Sequence, residues 1–211
     1  DFGTPGGPAI LSEDEFHIVK WNLGTSGSGI YTIPFISPTG GFLPAPDYVA
    51  ASVNVANAGA GPGSLEFSTY FHDDVLANAP TDVIHMNQHP SGLPGGEAYA
   101  MDRFWIIDAT GYTTKPSVNL SFSYDPDEID ASMVESEMLV QRYNPIMNRW
   151  LDLNLSGQVL INEPDNAISV IPNIADVDFF RSWTISSASN PLPIELLSFK
   201  SECKGNLGVE L

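Results

Sequence analysis

The chain has one cysteine, Cys203, so no disulfide can form within it. A fold of 211 residues must then rest on a buried apolar core, and this length suffices for one large or two small domains. Basic residues are almost as scarce. Only 8 Lys and Arg stand against 26 Asp and Glu, a formal net charge of −18. Phosphate recognition needs clustered Lys and Arg, so nucleic acid and anionic membrane surfaces are excluded as partners. Cations and neutral surfaces, glycans among them, are not. No apolar run approaches the roughly 18 residues of a membrane-spanning helix, and no stretch keeps the period of a long amphipathic helix. Nor does a charged-then-apolar leader open the chain at Asp1, so any signal peptide is expected to have been removed or to lie outside this sequence.

Turn chemistry is abundant instead, with 18 Gly and 17 Pro. The plainest strand pattern lies between Met101 and Asp130. Phe104 to Ile107 is a continuous apolar run, as in a strand covered on both faces. Val118, Leu120, Phe122 and Tyr124 alternate with Ser117, Asn119, Ser121 and Ser123, which gives one apolar and one wet face. Gly111 and Lys115-Pro116 break the chain between the two runs, so the segment reads as two strands joined by a turn. Phe16 to Trp21, Ile30 to Phe35, Tyr48 to Val55 and Leu65 to Phe71 read as earlier strands. Tyr48 to Val55 and Leu65 to Phe71 read together as a hairpin across Asn57 to Gly63, and Pro34 demands an edge or a bulge. Met138 to Tyr143, Trp150 to Leu153, Val159 to Asn162, Ile168 to Ile171 and Phe179 to Ile185 follow as later strands. Asp73 to Gly96 has no clean period and reads as one long surface excursion. Helix is expected at most as a single turn near Ile129 to Glu137.

So many short strands with turn signals between them predict an all-β fold, an antiparallel β-sandwich of the Ig-like or jelly-roll-like kind. Its expected span is 16–189, after a linker or N-terminal arm at 1–15. At 190–211 the prolines Pro191 and Pro193, the run Ile194 to Phe199 and the turn Lys204-Gly205-Asn206 predict a junction segment that opens a truncated second β domain.

Gly59, Gly61 and Gly63 imitate part of a phosphate-binding loop, but an alternating strand follows where a helix is required. Ser26 nearly completes a nucleophile elbow, yet Ser28 occupies its last glycine position and no helix follows. His85 and His89 share a face only on a helix, which Asn87 and Pro90 oppose; His72 beside Asp73 and Asp74 could join them as a metal site, and the competing reading is surface polar residues. Asp125, Asp127, Glu128, Asp130, Glu135 and Glu137 crowd six carboxylates into one short stretch. Oxygen-rich loops at strand ends bind Ca²⁺ in extracellular sandwiches, so Asp125, Asp127, Glu128 and Asp130 are the candidate calcium ligands, of weak affinity since the EF-hand spacing fails. The competing reading is a solvated acidic loop. Trp21, Trp105, Trp150 and Trp183 offer either core filling or an aromatic platform for sugar, with each arginine expected to pair with an acid such as Asp102 or Asp152. No catalytic constellation and no cofactor other than weak calcium is expected.

The order of segments resembles a family of large secreted surface proteins of gliding and biofilm-forming Bacteroidota. The resemblance is carried by LSEDEFHIVKWNLGTSGSGIYTIPF (Leu11 to Phe35), MDRFWIIDATGYTTKPSVNLSFSY (Met101 to Tyr124), QRYNPIMNRW (Gln141 to Trp150), DFFRSWTISS (Asp178 to Ser187) and NPLPIELLSFKSECKGN (Asn190 to Asn206). In that family a sandwich-like module leads through a PLPIELLSF junction into a fibronectin-like domain and a type IX secretion signal. This sequence ends inside the junction domain. The resemblance implies an extracellular or cell-surface location and a structural or adhesive role, with no catalytic residues to carry over. Expected partners are further copies of the chain, other surface proteins, or glycans. Ile194, Leu196, Leu197 and Phe199, apolar on both sides of a short strand, are the expected intersubunit contacts of a head-to-tail fibre. The rival expectation is a carbohydrate-binding accessory module of an exported enzyme.

Overall fold

A computed structural model describes residues 9–12, 14–23, 28–37, 47–71, 77–87, 96–131, 133–152, 159–162, 165–174, 181–187, 202–203 and 209–210. It is an all-β antiparallel sandwich of two sheets. The strands are β1 (Val19–Asn22), β2 (Gly29–Ile33), β3 (Ala51–Asn57), β4 (Ser64–Phe71), β5 (Arg103–Thr110), β6 (Ser117–Ser123), β7 (Met138–Asn144), β8 (Arg149–Asp152), β9 (Val159–Asn162), β10 (Ala167–Ile174) and β11 (Ser182–Ser187). One sheet runs β1-β4-β5-β11-β7-β8 and the other β2-β3-β6-β10-β9. A separate two-stranded ladder pairs β12 (Glu202–Cys203) with β13 (Val209–Glu210). Among the described residues helix is confined to short 3-10 turns, two of them at Pro126–Glu128 and Glu135–Glu137.

Two expected neighbours are separated. β5 and β6 are not a hairpin, because β5 pairs with β4 and β11 while β6 lies between β3 and β10 in the other sheet. The predicted hairpin of β3 and β4 is likewise a crossing from one sheet to the other. Alternation reports which face of a strand is buried, and both sheets of a sandwich bury one face alike, so the pattern carries no sheet assignment. The crossing loops pack on each other instead. Ala60 bridges Thr114, and a Cβ on Gly59 (φ +74°) would lie 2.3 Å from the Thr114 carbonyl oxygen.

The inner faces follow the period of two. Val118, Leu120 and Phe122 on β6 meet Leu65 and Phe67 on β4, Trp105 and Ile107 on β5, and Trp183 and Ile185 on β11 in one core. The Trp105 indole N–H donates across the layers to the Val49 carbonyl at 3.3 Å. Tyr124, just past β6, is also buried.

On β4 and β5 the opposite side chains face outward, and the two halves of that outer surface differ. Tyr70, Phe104 and Ile106, with Tyr143 and Trp150 from β7 and β8, form a second core under Val83 and Met86. The predicted excursion 73–96 is therefore, where described, a cover for this face. Trp150 holds it down by donating its indole N–H to the His85 carbonyl at 2.9 Å, and the Trp150 amide donates to the Asn87 carbonyl at 3.0 Å. The Tyr70 hydroxyl donates to the Asn78 carbonyl at 2.9 Å, and burial first, then the Glu15 charge, pushes this phenol above its ordinary range. Beyond the cover's rim the same sheet face turns polar.

The N-terminal arm is also part of the fold. Ile10 bridges Phe35 in parallel, and Glu15 is buried against Arg181. The strand expected from Phe16 begins only at Val19. Asp14 Oδ1 accepts the amides of Phe16 and His17 at 2.7 and 2.9 Å, a local side-chain turn that competes with the extended chain. Pro34 follows β2, an edge strand, so its missing N–H breaks no ladder.

Candidate functional site

Of the four carboxylates proposed for calcium, two turn inward and two outward. Pro126–Glu128 is a 3-10 turn with proline at its start, and Asp125 caps it through an Oδ1 that accepts the Asp127 amide at 2.9 Å. A turn of this pitch sends neighbouring side chains in different directions. Asp127 and Asp130 point to solvent, while Asp125 and Glu128 are buried. Glu128 leaves the candidate calcium set, because both of its oxygens receive N–H groups of Arg103. Ser37 donates to the same carboxylate at 2.7 Å, and Arg103 also donates to Thr69 Oγ1 at 3.1 Å. Both charged side chains are essentially sealed from water, at 1% and 0% exposure. Such a pair holds its shape because each charge would be stranded without the other. It closes one end of the inter-sheet core and ties the segment after β2, strands β4 and β5, and the acidic turn into one unit.

The acidic turn gains a carboxylate that the sequence did not suggest. Asp47 has its pKa raised, by burial first and then by the charges of Asp125 and Asp127. Asp47 is far from the acidic run in sequence and arrives through the backbone bond from the Ser37 amide to its carbonyl at 2.8 Å. Glu135, at the end of the run, accepts the Tyr124 hydroxyl at 2.7 Å. Among the described residues no three carboxylate, imidazole or thiol groups converge closely enough to hold a metal ion.

Two arginines pair with acids distant in sequence. Arg103 takes Glu128, and Arg181 takes Glu15 at 2.6 Å and Asp82 at 3.0 Å. Glu15 also accepts the Thr81 amide at 3.1 Å, and Asp82 accepts the Ser182 hydroxyl at 2.6 Å. This second cluster pins the N-terminal arm and the loop cover to the start of β11. No local spacing could have announced it, since its three parts lie in separate thirds of the chain.

Trp105, Trp150 and Trp183 are fully buried, and Trp21 is half-buried with its ring edge-on to Tyr31 at 4.9 Å. They form no exposed coplanar platform for sugar. The glycine loop at Gly59, Gly61 and Gly63 joins two strands of different sheets, so no helix dipole faces it. His17 is paired with Asp14 at the surface, at 3.0 Å. Ser26, His72 and His89 lie outside the described residues, as do the expected intersubunit residues Ile194, Leu196, Leu197 and Phe199. Compared with known proteins, the chain matches no family model, no curated protein and no solved structure.

Proposed function

We propose that this chain is a non-catalytic structural or adhesive module of a secreted bacterial surface protein, built to hold a shape between neighbouring modules or copies. The observation that supports this reading is where its costly side chains go. Three tryptophans and the Arg103–Glu128 pair are turned inward, and Arg181 bonds two further segments to the sheet. Buried pairs of this kind fix a single arrangement of loops rather than adding much net stability. The secreted, surface location rests on the family resemblance. The assembly contact is the junction 191–211, whose apolar positions would dock on a neighbouring copy and extend head to tail.

The experiment is to compare the full chain with one lacking 191–211, measuring mass in solution and fibre formation by microscopy. The full chain is expected to form multimers and the shortened one to remain single. Equal assembly of the two would reduce the tail to a linker. Turnover of a glycoside, ester or peptide by the purified chain, abolished by one carboxylate or serine substitution, would overturn the non-catalytic reading itself.

A further inference from the structure

The outer face of the six-stranded sheet is apolar and capped at one end, polar and open at the other. At the open end lies a concavity of about 430 Å³ formed where β1, β4 and β5 meet the two crossing loops. The strand register builds its floor. Asn22 pairs with Ser64 and Ser64 with Thr110, so three polar side chains stand in a row across three strands. One step along the strands, Lys20 pairs with Glu66. Pro62, Gly63 and Gly111 form the end wall, where the Pro62 ring is exposed. Gly63 cannot carry a side chain, because its Cβ would meet the Tyr112 ring at 2.2 Å. That ring and the glycine hold the wall low and rigid.

We propose that this groove binds a neutral saccharide, one pyranose unit seated across Asn22, Ser64 and Thr110 with its C–H face against Pro62. The charge state of the groove argues for a neutral ligand. The Lys20 ammonium is paired with Glu66 Oε1 at 2.6 Å, so this corner of the groove carries no net charge to favour an anion or a cation. The Thr110 hydroxyl donates to the same Glu66 oxygen at 2.9 Å, which fixes its proton, so the Ser64 hydroxyl donates to Thr110 and one Thr110 lone pair is left for an incoming hydroxyl. Ser64 Oγ lies 3.2 Å from Thr110 Oγ1, is largely buried, and is oriented by that contact. Two fixed hydroxyls and an amide spaced by the interstrand distance match a ring bearing several hydroxyls, each both donor and acceptor. The size is that of a small-ligand pocket, and its openness to solvent fits a single unit of a longer chain. This site uses none of the tryptophans and stands independently of the structural role proposed above, so either can fail alone.

The test is amide chemical-shift mapping on the isotope-labelled full chain. The probes are D-glucose, D-galactose, D-mannose and N-acetyl-D-glucosamine, with sodium phosphate and a short uncharged peptide as the other arms. At least one sugar is expected to give saturable shifts confined to Asn22, Gly63, Ser64, Thr110 and Gly111, with millimolar affinity. Asn22→Ala and Thr110→Val, whose spectra elsewhere should stay unchanged, are each expected to weaken that binding about tenfold, as loss of one hydrogen bond to a ligand does. The proposal is overturned if no sugar gives saturable shifts at these residues, if both variants bind as well as the parent, or if phosphate or the peptide alone occupies the groove.

Discussion

Phe122 is wedged between two tryptophans of the opposite sheet, Trp105 at 5.0 Å and Trp183 at 6.2 Å between ring centroids. Phe122→Ala would leave a cavity against both rings, and denaturant unfolding is expected to show a loss of about 3–5 kcal/mol. Its neighbour Ser121 points the other way and accepts the Ser169 hydroxyl at 3.0 Å. Ser121→Ala should therefore cost about 1 kcal/mol, the worth of one partly exposed hydrogen bond. Equal losses at the two positions would contradict the register of β6. At this scale much was legible. The alternation from Ser117 to Tyr124 assigned each side chain to the correct face, because a strand half in water must keep that period. Glu128 was illegible for the opposite reason. In a run of acids every carboxylate looks solvated, and only the fold reveals that one of them meets an arginine.

The strand pairs set the next scale. Arg103 begins β5 and Glu128 ends the turn after β6, so their bond crosses between the two layers rather than along one sheet. Glu128→Leu or Arg103→Met alone leaves a buried charge without its partner, and each is expected to cost about 3–5 kcal/mol. The double variant Arg103→Met with Glu128→Leu should cost much less than the sum, a positive coupling that thermal or denaturant unfolding of all four proteins can read. Simple additivity would show that the pair is not the fastening described here. Element positions were largely recoverable from sequence, since each of the eleven runs read as a strand overlaps one of β1 to β11. Their partners were not, because pairing across a sandwich is decided by packing between distant segments. The cover at 77–87 was missed for lack of any period. Val83 and Met86 are buried by irregular backbone that hydrogen-bonds Trp150, and irregular backbone leaves no repeating trace.

The whole molecule carries a formal charge of −18, and the acidic turn concentrates part of it. Asp47 is harder to ionise in the folded chain than its ordinary value of 3.8. The folded state thus holds that proton more tightly than the unfolded one, so ionisation opposes folding. The penalty is absent below the ordinary value, grows as pH rises through the folded value, and is complete above it. Asp47→Asn should stabilise the chain at neutral pH, by no more than the roughly 0.5 kcal/mol typical of surface changes, and should be neutral in acid. A gain that persisted at low pH would exclude this cause. Calcium titrated by calorimetry is expected to show no site tighter than about 10⁻⁴–10⁻³ M, since Glu128 is taken by Arg103 and Asp125 by its own cap. The order of strands has a last consequence, for assembly in time. β6 joins β10, and β5 and β7 both join β11, so the middle of each sheet is finished by late-synthesised chain. Until residue 174 has emerged β6 keeps an open edge, and until residue 187 the larger sheet lacks its centre. Non-local pairing of this kind makes folding slow and leaves unpaired edges exposed meanwhile. A chain delivered end first must therefore be kept from its neighbours until β11 has arrived.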